Sequence, residues 1–118
     1  MKESELRIGN WYMFADNEGI RYRTIKEIKY NQFGFISDFD GVNFSICKPI
    51  PLSEVWLVEF GFVSNPYEDR YELRREYHIH IEIDKTKGFT EIWCEKYPII
   101  KHVHQLQNLY FALAGKEL

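Results

Sequence analysis

The residues whose types and spacing are best suited to chemistry lie in the run His78-Ile79-His80-Ile81-Glu82. Alternate residues of a β-strand point to one face, so His78, His80 and Glu82 are expected to share a face. Two imidazoles and a carboxylate are donor types that a divalent metal ion accepts. The same alternation is typical of a solvated strand face. We favour the solvated face, because structural zinc sites usually take four ligands, and keep the metal site as a hypothesis.

A second candidate is the basic and aromatic run from Arg21 to Tyr30, which is followed by Phe33 and Phe35. Proteins that bind single-stranded nucleic acid combine phosphate contacts with base stacking, and the residues predicted to contact phosphates are Arg21, Arg23, Lys26 and Lys29. Aromatic residues in a small β-domain are normally core, and edge strands carry lysine to discourage pairing. The net charge is −3. Neither half of the chain is basic, so nucleic acid is an alternative that we do not favour.

Catalytic motifs are missing from the sequence, which has no Gly-rich phosphate loop, no G-x-S-x-G and no H-E-x-x-H. We therefore predict no catalytic residue and no cofactor. Apolar residues are in surplus, and a surface that uses them is expected to bind a protein partner or a second copy of the chain. The residues predicted for this surface are Phe111, His104, Trp56 and Trp93. On this interpretation Phe111→Asp weakens association without unfolding the domain.

A long helix is predicted over 99–115, because Val103, Leu106, Tyr110 and Leu113 recur at steps of three and four. Gly115 is suited to end it in the left-handed conformation. Two histidines lie in this predicted helix, His102 at the edge of the apolar stripe and His104 near the solvated side. Residues two apart on a helix point in nearly opposite directions, so these two are not expected to share an ion.

A short helix is predicted over 53–61, with Ser53 as its N-cap and Gly61 at its end. Strands are predicted on both sides of it. Residues 1–48 are β-rich, with four short strands over 6–14, 21–30, 33–36 and 42–46. Residues 70–95 form a hairpin region, in which an alternating strand from Tyr71 to Ile83 has a break near Arg75. A loop over 85–88 is expected to pair Ile81 with Ile92 and Ile79 with Cys94.

These elements predict an α+β fold with a single domain over 1–118. Its centre is a curled, partial-barrel-like antiparallel sheet of five to seven strands, with the short middle helix and the long C-terminal helix packed on it. A charged start without an apolar segment gives no sign of a secretory signal, and no apolar run approaches the ~20 residues of a membrane span. We therefore expect a cytoplasmic protein without a membrane partner, and reduced, buried Cys47 and Cys94.

Three segments of the chain resemble a known family. They are Arg7-Ile8-Gly9-Asn10-Trp11, the stretch from Lys48 to Phe62 (KPIPLSEVWLVEFGF) and the stretch from Val103 to Leu113 (VHQLQNLYFAL). Together they are similar to small uncharacterised proteins of gut-dwelling anaerobic bacteria and their phages and mobile elements. The resemblance implies a short cytoplasmic protein encoded by a prophage or an integrated element. It implies no activity, cofactor or catalytic residue.

Overall fold

A computed structural model describes residues 1–75, 79–84 and 100–118 of the chain. The chain divides into two compact units, an N-terminal unit over Met1–Ile50 and a C-terminal unit over Pro51–Leu118. The described strands form three separate antiparallel sheets, accompanied by two α-helices, so the α+β class is confirmed. The described strands lie in three sheets of two, three and three strands, whereas one sheet of five to seven strands was predicted. The partial barrel, the packing of the helices on it and the single domain stay predictions.

The N-terminal unit contains a two-stranded and a three-stranded sheet. Strands β1 (Trp11–Asp16) and β2 (Gly19–Thr24) form a hairpin around a two-residue loop. The second sheet has the order β3 (Ile28–Tyr30), β4 (Ile36–Phe39) and β5 (Val42–Asn43). Two 3₁₀-helices, Glu3–Glu5 and Phe44–Ile46, flank these strands. A single bridge between Met13 and Lys48 covers the free edge of β1.

The core of the N-terminal unit is built from six buried residues, which are Tyr12, Phe14, Ile25, Ile36, Phe39 and Cys47. Tyr12 contacts Phe39 edge to face, with the ring centroids 5.3 Å apart. Tyr12 and Phe14 alternate along β1, so one face of the β1–β2 hairpin is buried.

The C-terminal unit contains two helices and one three-stranded sheet. Helix α1 (Glu54–Glu59) precedes strands β6 (Val63–Asn65), β7 (Arg70–Arg75) and β8 (Ile79–Asp84), which lie in sequence order. Helix α2 (Val103–Ala114) follows. Buried side chains come from each helix and from β7 and β8, and include Leu57, Leu73, Ile81, Leu106 and Tyr110. Tyr71 on β7 donates a hydrogen bond to the Glu54 carboxylate of α1.

Residues close in sequence define the ends of both helices. Ser53 is the N-cap residue of α1, although its side chain makes no capping hydrogen bond. Gly61 and Gly115 both have positive φ, +92° and +71°. Helix α2 begins later than predicted, because His102 is its N-cap in extended conformation. Gln105 completes this start, since its side-chain oxygen accepts hydrogen bonds from the backbone N–H groups of Lys101 and His102.

Several strand predictions were wrong in their bounds. The strand predicted over 21–30 is divided between β2 and β3, and the strand predicted over 33–36 begins only at Ile36. The run from Tyr71 to Ile83 is not one strand. Its two ends pair antiparallel as β7 and β8, with Leu73 opposite Ile81. The partners predicted for Ile79 and Ile81, Cys94 and Ile92, lie outside the described residues, as does the predicted loop over 85–88.

Candidate functional site

The β7–β8 pair has one buried face and one polar face. Tyr71, Leu73, Ile81 and Ile83 are buried on the first. The register places Glu72 directly opposite Glu82 and Arg74 opposite His80 on the second. Because directly opposite residues of an antiparallel pair project to the same side, these four side chains and Arg70 share a surface. We call Glu72, His80 and Glu82 the mixed-ligand cluster, since one ligand atom from each lies within 4.8 Å of the others.

The polar contacts of this cluster are unevenly distributed. One oxygen of Glu82 lies 2.9 Å from Nη1 of Arg70, and its other oxygen lies 3.1 Å from Nε2 of His80. Among the residues that the structure describes, the contacts of Glu72 are longer, 3.4 Å to Nδ2 of Asn65 and 3.7 Å to Nε of Arg74. Both glutamate side chains are largely buried, at 16% and 19% exposure, whereas His80 is 40% exposed. The cluster can therefore hold positive charge on the Glu72 side, where compensation is weakest.

The sequence analysis named two of these three residues. His80 and Glu82 lie on one face, as predicted from their spacing, and their side chains are in contact. His78, the third predicted metal ligand, lies outside the described residues. Glu72 was missed because β8 was expected to pair with residues beyond 90. In the structure β8 pairs with β7, which carries Glu72. An alternating partner strand on the N-terminal side was the signal that could have found it.

The four predicted phosphate contacts are exposed but do not form one basic surface. Arg21 is engaged by Asp16, at 3.2 Å, and by Glu18. The guanidinium of Arg23 lies over the ring of Phe14, with its central carbon 5.1 Å from the ring centroid. Lys26 and Lys29 are exposed. Two of the four cations therefore already have partners in the N-terminal unit.

The end of β3 and the turn that leads to β4 present three aromatic side chains to solvent. We call Tyr30, Phe33 and Phe35 the aromatic loop; they are 62%, 73% and 60% exposed. The Asn31 side-chain oxygen accepts hydrogen bonds from the backbone N–H groups of Phe33 and Phe35, at 2.9 and 3.1 Å. Gly34 provides the positive φ, +82°, that the turn requires. The expectation that these aromatic residues are core was wrong. The loop is a hydrogen-bonded turn whose apolar side chains face outwards.

The residues predicted to bind a protein partner are spread over several environments. Phe111 on α2 is 38% exposed. Trp56 is partly buried and lies beside Phe60, with the ring centroids 5.9 Å apart. Trp93 lies outside the described residues. His104 was expected near the solvated side of the helix, but it is buried, with 1% exposure.

The rings of His102 and His104 were expected to point in opposite directions, but they stack 5.8 Å apart. The reason is that His102 is not helical. Its extended N-cap conformation places it outside the helical arrangement that was assumed from the sequence. No metal cluster among the described residues includes either histidine.

Two buried ionisable groups lie in the core of the N-terminal unit. Burial, with the nearby charges of Asp40 and Cys47, raises the pKa of Tyr12 to about 12. Burial, together with the Asp38 charge, raises the pKa of the Cys47 thiol to about 11. A thiol in this state is a poor nucleophile at neutral pH, so Cys47 has the character of a core residue. Its predicted burial is confirmed; Cys94 lies outside the described residues.

No family model, curated protein or solved structure matches the chain. The resemblance of the three sequence segments to proteins of gut bacteria and their mobile elements therefore stays a prediction. Within the described ranges, the structure contains no helix that is long and apolar enough to span a membrane.

Proposed function

We propose that this protein is a non-enzymatic interaction module that anchors a protein partner through the aromatic loop. The observation that supports this proposal is the exposure of Tyr30, Phe33 and Phe35 on an ordered turn. A turn whose backbone is fixed in advance loses less conformational freedom on binding, and large aromatic side chains dominate the energetics of many interfaces. A cytoplasmic accessory role in a mobile element, as the sequence resemblance implies, is compatible with such a module.

The partner that best fits this loop is a protein with a concave apolar pocket. Each aromatic side chain can bury about 200 Å², so three that are about two-thirds exposed offer about 400 Å². A stable flat interface buries about 800 Å² on each partner. A second copy that meets this loop face to face would supply only half of that area. A pocket that encloses Phe33 and Phe35 makes fuller use of the same side chains.

Single-stranded nucleic acid remains the second candidate, and a specific observation ranks it lower. Residues 1–50 carry 7 basic side chains (4 Lys and 3 Arg) and 7 acidic ones (4 Glu and 3 Asp), so the N-terminal unit has no net charge. Arg21 is already paired with two carboxylates. Nucleic-acid binding without sequence preference rests on unpaired cations. Of the four predicted phosphate contacts, Lys26 and Lys29 are left for it.

The experiment is a capture assay from lysate of the natural host with four forms of the full chain. These are the wild type, Phe33→Ser with Phe35→Ser, a control that carries Val55→Ser with Val58→Ser, and Phe111→Asp. The control removes two exposed apolar side chains of α1, so it matches the loss of apolar surface. We expect one stoichiometric protein that survives nuclease treatment, binds the wild type and the control, and is lost from the loop variant.

Each other outcome contradicts a defined part of the proposal. Loss of the partner only from Phe111→Asp transfers binding to the C-terminal helix. Recovery that collapses with nuclease favours nucleic acid. A concentration-dependent increase in solution mass that the loop variant abolishes identifies a second copy as the occupant. Equal capture by all four forms removes the aromatic loop from consideration.

A further inference from the structure

The mixed-ligand cluster contains an arrangement that an isolated sheet would avoid. Glu72 and Glu82 are directly opposite each other on β7 and β8, and like charges in this position are destabilising. Both side chains are also largely buried, which weakens the screening of their charges by water. A cation between them relieves the repulsion.

The arginines of this face compensate the two carboxylates to different degrees. Arg70 holds one oxygen of Glu82 at 2.9 Å. The other oxygen of Glu82 is left facing His80. The Nε atom of Arg74 lies 3.7 Å from Glu72, beyond hydrogen-bond distance, and the Arg74 side chain is 69% exposed. The carboxylate of Glu72 therefore keeps most of its capacity to bind a cation.

The geometry points to a site for a divalent transition-metal ion of the Zn²⁺ type, which we propose is bound by Glu72, His80 and Glu82. An imidazole nitrogen and two carboxylate oxygens are ligands that Zn²⁺ accepts, and three protein ligands leave a coordination position open. Donor atoms at about 2.1 Å around a tetrahedral ion lie about 3.4 Å apart. The present separations, within 4.8 Å, close to this value by side-chain rotation, since His80 is partly exposed.

Two neighbouring side chains are placed as supporting groups for this site. Arg70 fixes the Glu82 carboxylate from the side away from His80, and Asn65 approaches Glu72 from β6. Hydrogen bonds of this kind orient metal ligands and are part of most metal sites. The inference is independent of the proposed partner binding, because it uses different residues and a different unit of the chain.

The test is a titration of the untagged, chelator-treated full chain with Zn²⁺ by isothermal titration calorimetry. We expect one Zn²⁺ per chain and a rise of the melting temperature on binding. Glu72→Gln and His80→Gln should each weaken binding by about 100-fold or more, because a lost ligand costs at least as much as a lost supporting group. The matched control is Glu68→Gln, which removes the same charge beside Arg70 but no cluster ligand.

Far-UV circular dichroism of each variant checks the fold, and two ligand variants are used so that one misfolded protein does not decide the result. Replacement of Zn²⁺ by Co²⁺ adds a visible spectrum that reports nitrogen and oxygen coordination in the wild type. Absence of stoichiometric binding to the wild type overturns the proposal and identifies the face as an ion-pair network only. Binding that Glu68→Gln weakens as much as Glu72→Gln also overturns it, since charge alone then explains the affinity.

Discussion

Replacement of Tyr12 by phenylalanine is expected to stabilise the N-terminal unit. The Tyr12 side chain is fully buried, and its hydroxyl has no hydrogen-bond partner among the described residues. Burial of such a group without a partner costs about 1–3 kcal/mol relative to the hydrated unfolded chain. Phenylalanine keeps the edge-to-face contact with Phe39 and removes this cost. We therefore expect the free energy of unfolding to rise by about 1 kcal/mol at pH 7.

The pH dependence of this gain has a definite sign. The folded state holds the pKa of Tyr12 at about 12, above the ordinary value of 10.0. The hydroxyl is therefore deprotonated more easily in the unfolded chain. Ionisation of the unfolded chain therefore lowers the free energy of unfolding of the wild type as the pH rises from 10 towards 12, whereas below pH 10 it has no effect. The advantage of Tyr12→Phe over the wild type should grow by about 1 kcal/mol between pH 9 and pH 11.

Tyr71→Phe is the matched control, because it is the same substitution at a tyrosine whose pKa is also raised to about 12, chiefly by its hydrogen bond to Glu54. Loss of this bond should lower the free energy of unfolding of the C-terminal unit by about 1–2 kcal/mol. Urea unfolding, followed by circular dichroism and tryptophan fluorescence, measures both variants. Destabilisation of 1 kcal/mol or more by Tyr12→Phe would refute the argument and show that the hydroxyl has a partner in solution.

Three further substitutions or modifications test local features of the fold. Gly61→Ala should lower the free energy of unfolding in urea by about 2 kcal/mol, because φ is +92° and a Cβ there meets the Arg75 guanidinium. Gly115 also has positive φ but open space around it, so Gly115→Ala should lower the same free energy by about half as much. Asp40→Ala should lower the free energy of unfolding by about 2 kcal/mol, because the Asp40 carboxylate accepts hydrogen bonds from two backbone N–H groups. Asp40→Asn should lower it less in the same measurement. Cys47 should resist alkylation at pH 8 until urea unfolds the protein, because its thiol is buried and its pKa is raised. Peptide mapping by mass spectrometry measures the labelling. Rapid labelling of Cys47 in the folded chain would contradict its burial.

The helices were predictable because their signals are local. Ser53 and Gly61 bound α1 in the sequence as they do in the structure, and Gly115 ends α2 in the left-handed conformation. Capping chemistry acts within a few residues, so no knowledge of distant contacts is required. The late start of α2 has the same local origin. His102 and Gln105 have the spacing of a capping pair, although histidine is not among the residues usually expected there.

The β7–β8 hairpin was not predictable from alternation alone. Leu73 pairs with Ile81 and Tyr71 with Ile83, so odd-numbered residues pair with odd-numbered residues throughout. A chain reversal of this register preserves the alternation of buried and exposed positions. One long strand and two paired strands therefore have the same sequence pattern. The break expected near Arg75 marked the place, but alternation does not reveal that the chain reverses there and so makes Glu72 and Glu82 neighbours.

The aromatic loop shows how one polar side chain can override a strand-like pattern. Phe33 and Phe35 alternate as in a strand, and their hydrophobicity alone favours burial. Asn31 instead offers its side-chain oxygen to both of their backbone N–H groups and so replaces the partners that a strand would have supplied. The turn is thereby satisfied without burying its aromatic side chains. The folded protein therefore gains no stability from burying these apolar side chains, and whether they serve binding is the question that the proposed experiment tests.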